Sequence, residues 1–372
     1  MPLAIDSSAL LKTKKTGVER YVERVLGELR SPDLLGSEKV ELWSPAVLPS
    51  EFYSDPWTNR VLKLPYLRQG WTHLRASLEL LHQPPRAYWV PGHEVPLFPG
   101  KAAIITTIHD VVFKTVPESY SPAARFRQDL AVRHAVRHAE KILAVSEATK
   151  ADLINHYQAD SDRIVVTPLA ADVLPTVSAE DIASIKRSLG LENRRIILFV
   201  GRIERKKGCD RLLQAFEALS QRAGFADVSL VLAGGVSADM TTAIDEARGR
   251  ASFEHVHLLG FVSDQVRSAL YASASLFAFP TRGEGFGLPM LEAMQAGLPV
   301  IASDLPVTRE TGGLGAQYVP GADIHAWTEI MASYLADDQL RQSLAAAGQE
   351  QAAKFSWRST ALQTAEALQA YV

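Results

Sequence analysis

Short apolar runs alternate along the chain with longer stretches whose apolar residues recur at helical spacing. In the first half the runs predict strands over 3–6, 40–43, 88–90, 104–108, 142–145 and 164–166, with helices over 17–29, 121–139 and 147–157. The alternation restarts after a turn-rich, proline-containing break at 170–178. It predicts strands over 196–200, 228–233, 256–258, 276–279 and 300–303, with helices over 178–189, 209–221, 239–247, 324–336, 338–350 and 357–369. Strand–helix–strand units of this kind build parallel sheets covered by helices. The expected fold is α/β, with two Rossmann-like domains over residues 1–172 and 173–355. Two such domains facing across a deep cleft place a ligand at the carboxyl ends of both sheets.

The 372 residues exceed one ordinary core and fit two domains of roughly 150–200 residues each. The net charge of -3 gives no case for nucleic acid as a partner. One cysteine, Cys209, excludes a disulfide framework and any multi-cysteine metal site. No apolar stretch approaches the ~20 residues that span a bilayer, and the first eight residues do not read as a signal peptide. A cytoplasmic protein is the expectation.

Two stretches carry chemistry. In the first, the strand over 276–279 runs into a turn bearing Gly283, Glu284, Gly285 and Gly287. Pro289 then opens a helix that carries Glu292. Bare glycines let a ligand reach the backbone, and amides around Phe286, Gly287 and Leu288 at a helix start favour oxygen-rich anions. Two carboxylates on this frame can grip a polyol, which suits a nucleotide-sugar. The plainer readings are an exposed loop acid and a surface helix acid. In the second stretch, Val200-Gly-Arg-Ile-Glu-Arg-Lys-Lys-Gly208 follows a strand and precedes a helix. Arg202 and Lys207 there form a receptor for a diphosphate, or else belong to a solvated basic loop. The patterns of a P-loop and of a dinucleotide fingerprint are both missing.

Arg202 with Lys207, and the run Glu284-Gly-Phe-Gly-Leu-Pro-Met-Leu-Glu292, resemble the signature of the retaining, GT-B-fold glycosyltransferases of family 4, related to bacterial mannosyltransferases of surface polysaccharide synthesis. The resemblance implies that Glu284 binds hydroxyls of the donor sugar and Glu292 the nucleoside ribose. It implies that Arg202 and Lys207 neutralise the diphosphate, and that the backbone of Gly285, Phe286, Gly287 and Leu288 touches sugar or phosphate oxygens. Gly260-Phe-Val-Ser-Asp264 resembles the loop beside the base, with Val262 in contact. His109, followed by Asp110, resembles the histidine that reaches the donor sugar from the N-terminal, acceptor-side domain. Thr16-Gly-Val-Glu-Arg-Tyr21 resembles the glycine loop over the donor phosphates, but Glu19 stands where the pattern has a second glycine, which leaves Gly17 as the contact. Residues 173–355 would be the donor domain, and a helix within 356–372 would cross back to the first domain.

The implied reaction is retaining transfer of a hexosyl residue, mannose from GDP-mannose, to a saccharide or lipid-linked saccharide acceptor in lipopolysaccharide or exopolysaccharide assembly. His109, Arg202, Lys207 and Glu284 form its catalytic set, with Glu284 gripping the sugar rather than attacking it. Two cations make a metal unnecessary, and no cofactor is expected. The alternatives are the same chemistry with a UDP-, ADP- or dTDP-sugar, or a catalytically silent nucleotide-sugar-binding subunit. In residues 57–77, Trp57, Leu62, Leu64, Tyr66, Leu67, Trp71 and Leu74 are interleaved with Arg60, Lys63, Arg68 and Arg75, without an acid. This segment reads either as a peripheral contact with an anionic membrane or as a helix pair packing on the sheet. Pro65 and Gly70 argue against one long amphipathic helix.

Overall fold

A parallel strand covered by helices on both faces must be apolar at successive positions, and the central strands here are. A computed structural model describes residues 1–13, 15–63 and 70–371. The chain divides into two compact units, Met1–Leu169 with Ser356–Val372, and Ala170–Phe355. The first holds strands β1 (Leu3–Asp6), β2 (Val40–Ser44), β3 (Trp57–Val61), β4 (Ala87–Val90), β5 (Ala103–Ile108), β6 (Lys141–Ala144) and β7 (Ile164–Val166). They form one parallel sheet in the order β3-β2-β1-β4-β5-β6-β7. Every residue of β1 and β4 is buried, and Trp43 packs on Tyr88 with ring centroids 5.0 Å apart. The C-terminal helix Trp357–Gln369 belongs to this unit and lies against the helix Gly17–Leu29, with Trp357 and Tyr21 rings 6.4 Å apart.

The second unit holds β8 (Arg195–Val200), β9 (Val228–Ala233), β10 (Val256–Gly260), β11 (Leu276–Phe279), β12 (Val300–Ser303) and β13 (Ala316–Val319). Their order is β10-β9-β8-β11-β12-β13, again all parallel. The helix Cys209–Ser220 buries Leu212, Phe216 and Leu219 in a core shared with Trp327 and Met331 of the helix Ile324–Ala336. In both sheets the strand order reverses direction beside the first strand, between β1 and β4 and between β8 and β11. Connections leave the carboxyl edge in opposite directions at such a point and open a crevice there.

The structure corrects the reading of residues 57–77 in part. Trp57–Val61 is an edge strand rather than a helix, with the Trp57 indole donating to the Leu35 carbonyl at 3.0 Å. The Trp71 indole donates to the Leu62 carbonyl at 2.8 Å, and Trp57, Leu62 and Trp71 are all buried. Arg60 pairs with Glu41 and Glu79, acids that lie outside the segment. These three apolar side chains serve the core and do not face a membrane. Leu64, Tyr66, Leu67 and Arg68 lie outside the described residues. Among the described residues no helix is long and apolar enough to cross a membrane.

Candidate functional site

The second sheet's reversal point assembles the sequence motifs. After β8 the chain passes Arg202 and turns through a short 3-10 segment, Arg205–Lys207, before the helix Cys209–Ser220. After β11 it enters the turn of Glu284 and then the helix Leu288–Gln295. Strands β8 and β11 are neighbours, so their trailing loops meet, and Lys207 Nζ donates to Glu284 Oε1. The side chains are 18% and 12% exposed. Glu284 is therefore no ordinary exposed loop acid. A half-buried ion pair at a glycine-rich helix start offers a cation, a hydroxyl acceptor and bare backbone within one small volume.

A second pair holds the two loops in register. Arg282 Nη2 donates to Asp210 Oδ2 at 2.5 Å, while its backbone amide donates to the Lys206 carbonyl at 2.8 Å. Gly208, at φ +71°, passes so close to Pro280 that a Cβ there would lie 1.9 Å from the Pro280 carbonyl oxygen. Arg282 and Asp210 were not singled out from the sequence, because nothing local links residues so far apart. Arg282→Gln, which leaves Asp210 only Arg205, 3.5 Å away, is expected to lower transfer at least about tenfold by letting Lys207 drift from Glu284. Asp210→Asn keeps an oxygen acceptor and is expected to retain more of the activity. Wild-type rates in Arg282→Gln, alongside an unchanged unfolding midpoint, would show that the loops need no clamp.

Glu292 stands apart from that pair. It is buried, accepts from the Tyr271 hydroxyl at 3.0 Å and has Arg267 Nη1 3.7 Å away. The surface-acid reading is thereby overturned. Tyr271 and Arg267 come from the helix Asp264–Ser273, which the apolar pattern did not predict. Ser263 caps that helix by accepting from the Val266 amide at 3.3 Å, and Val262 just before it is half-buried. Gly287 adopts φ +99°, and its carbonyl accepts from the amides of Met290 and Leu291. Phe286 is buried against Phe355, with centroids 5.5 Å apart, and its carbonyl accepts from Thr311 Oγ1 at 2.7 Å. Gly285 is buried and Leu288 half-buried at the helix start. Arg202 is largely exposed, with Glu204 3.7 Å away, and does not join the Lys207–Glu284 pair.

In the first unit His109 follows β5, and its Nε2 lies 3.1 Å from the Pro91 carbonyl at the end of β4. A carbonyl only accepts, so Nε2 carries the proton. Burial lowers the ring's pKa below the usual histidine value, so the imidazole is neutral and Nδ1 is an acceptor. Tyr21 of the helix Gly17–Leu29 meets the ring edge-on at 5.0 Å. Gly17 is exposed at the first position of that helix. Glu19 folds back to close a capping box, taking the Thr16 amide at 2.9 Å, and Lys12 Nζ lies 2.5 Å from its other oxygen. Glu19, which stands where the pattern has a second glycine, thus takes the Thr16 amide for itself. Among the described residues no group of three or more His, Cys, Asp or Glu side chains is placed to hold a metal.

Residues 181–351 match the family described as "Glycosyl transferases group 1", and residues 16–173 match "Glycosyltransferase Family 4". The chain is 32% identical over 268 residues to O-antigen chain mannosyltransferase B of Escherichia coli, covering 71% of this chain and 69% of that protein. It is 30% identical over 306 residues to D-inositol 3-phosphate glycosyltransferase of Corynebacterium glutamicum, covering 78% and 71%. Among solved structures, Anabaena HepE in complex with UDP and glucose superposes with a TM-score of 0.74 at 20% identity over 99% of both chains. WaaG, a glycosyltransferase involved in lipopolysaccharide biosynthesis, gives 0.70 at 16% identity over 98% of both. The two parallel sheets thus form a GT-B fold, and the chain belongs to the group 1, family 4 glycosyltransferases.

Proposed function

We propose that the protein transfers a hexosyl residue with retention, mannose from GDP-mannose, to a saccharide or lipid-linked saccharide acceptor in surface polysaccharide assembly. The observation that carries the reading is the Lys207–Glu284 pair at the start of the helix Leu288–Gln295. As the glycosidic bond breaks, negative charge grows on the leaving diphosphate, and Lys207 with Arg202 stabilises it where it develops. Glu284 exchanges part of its bond to Lys207 for sugar hydroxyls. Glu292, held by Tyr271, accepts from the ribose. His109 takes a sugar hydroxyl at Nδ1, the acceptor its Pro91 contact leaves available. The leaving phosphate receives the acceptor's proton on the same face, so retention needs no covalent intermediate on Glu284. Two cations balance the diphosphate, and no metal or cofactor is assigned. The enzyme would work on the cytoplasmic side of a membrane that carries its acceptor.

The name of the Escherichia coli relative supports mannose. The UDP and glucose held by HepE make a UDP-hexose the rival donor. A thermal-shift series with GDP-mannose, UDP-glucose, ADP-glucose and dTDP-rhamnose decides between them, because a true donor stabilises by mass action, about 2.7 kcal/mol at a hundredfold excess over Kd. GDP-mannose is expected to raise the unfolding midpoint most. A larger rise with UDP-glucose would overturn the mannose assignment. Stabilisation by a donor, with neither transfer nor hydrolysis over a broad acceptor panel, would favour a silent subunit.

A further inference from the structure

The bond to Pro91 does not by itself fix the plane of His109. It ties one ring nitrogen and leaves the imidazole free to pivot about that contact. The second support is Tyr21, in the second turn of the helix Gly17–Leu29. Its ring stands at 85° to the imidazole with centroids 5.0 Å apart, the edge-to-face arrangement that aromatic quadrupoles favour. Tyr21 is 0% exposed, so it cannot itself reach a substrate.

Tyr21 is braced in turn by other elements of the first unit. Its hydroxyl lies 3.1 Å from Thr107 Oγ1 on β5, two residues before His109, and the Trp89 indole on β4 donates to the same oxygen at 3.1 Å. Thr364 of the C-terminal helix Trp357–Gln369 hydrogen-bonds the Tyr21 hydroxyl as well. The Tyr21 ring also meets Trp89 edge-on and Trp357 at a tilt, each with centroids 6.4 Å apart. Trp89, Thr107 and Thr364 are as fully buried as Tyr21. Phenylalanine would fill nearly the same space, so the hydroxyl serves to lock the ring. A rotated ring would leave buried hydroxyl groups without partners.

We propose that Tyr21 is the positioning residue for His109. Locked by Trp89, Thr107 and the C-terminal helix, it sets the plane of the imidazole and so aims Nδ1 at a sugar hydroxyl. The last helix of the chain thus bears on His109 through Tyr21. The aim of Nδ1 rests on the proposed function, whereas the restraint on the ring does not. Besides Tyr21, the titratable groups that act on the imidazole are Asp110 beside it, His93 after β4 and Glu19 of the helix Gly17–Leu29.

The test follows His109 by NMR titration of the full chain without donor or acceptor, its signals identified with His109→Gln, and then measures transfer. In Tyr21→Leu the ring loses its support and meets water, so its pKa is expected to rise toward the ordinary histidine value. Transfer needs the neutral ring, so the acid limb of kcat should move to higher pH, and kcat at neutral pH should fall about tenfold. Tyr21→Phe, which keeps the ring, should restore most of the rate and return the titration toward wild type. Trp357→Leu, at a half-buried position, should shift the titration the same way by less, and it carries the test if Tyr21→Leu does not fold. An unmoved titration in the folded variants would overturn the proposal. So would a lower rate with the acid limb in place, or a shifted titration at wild-type rates. A wild type that transfers nothing would instead sink the functional reading, and the titration would still decide whether Tyr21 holds the ring.

Discussion

Lys207→Ala is expected to lower kcat/KM for transfer about a thousandfold while leaving the chain folded. In the proposed mechanism this cation faces the charge growing on the leaving diphosphate, and loss of one preorganised donor costs on the order of 3–4 kcal/mol in the transition state. The same change strips Glu284 of its partner in a half-buried site. A carboxylate left without that bond is poorly placed to hold sugar hydroxyls. Glu284→Ala is expected to fall by a similar factor, and the double variant by little more than either single one, because the pair acts as a unit. The measurement is single-turnover transfer with the donor selected by thermal shift, alongside unfolding curves. Normal rates in both single variants would remove the pair from the mechanism. Additive losses would show that the two residues act independently.

The second large effect is structural. Gly208→Ala places a methyl group 1.9 Å from the Pro280 carbonyl oxygen and 2.7 Å from its carbon. The obstacle is backbone and cannot rotate away. The glycine also holds φ +71°, which costs an L-residue about 1–2 kcal/mol, and forced overpacking adds roughly 1–3. A loss of about 2–5 kcal/mol is a large share of the stability of a domain. Gly190→Ala is the control, since it shares a positive φ of +68° and has nothing within 4 Å of the added atom. It should cost only the backbone part. Chemical unfolding of the two variants separates strain from collision, and equal losses would show that the loop gives way at Pro280. Gly208→Ala should also impair transfer, because the displaced segment carries Lys207.

The alternation of apolar runs with helical periods predicted most strands of both sheets, since buried parallel strands must be apolar throughout. It passed over β3 and β13. Trp57-Thr-Asn-Arg-Val61 is an edge strand that tolerates polar side chains, and its aromatic and basic content suggested a surface segment. Ala316-Gln-Tyr-Val319 is short and only partly covered. The glycine-rich turn was legible because its backbone demands are local. Partnerships were not legible. Neither the bond from Lys207 to Glu284 nor the clamp from Arg282 to Asp210 can be read before strand order is known, because β8 and β11 become neighbours only in the folded sheet. Glu19 is visible as a departure from the glycine pattern, but its service as a cap for its own helix shows only in the fold.

The strand order β10-β9-β8-β11-β12-β13 also sets when the site can exist. The chain lays β8, β9 and β10 outward in one direction and must return across β8 before β11 can pair. Lys207 and Glu284, 77 residues apart, therefore meet only after that return. A second unit halted after β10 would own half a sheet and no Lys207–Glu284 pair. If the pair holds the donor as proposed, binding of a nucleotide-sugar would report completed assembly of this unit, and the substrate would double as a probe of the enzyme's maturation.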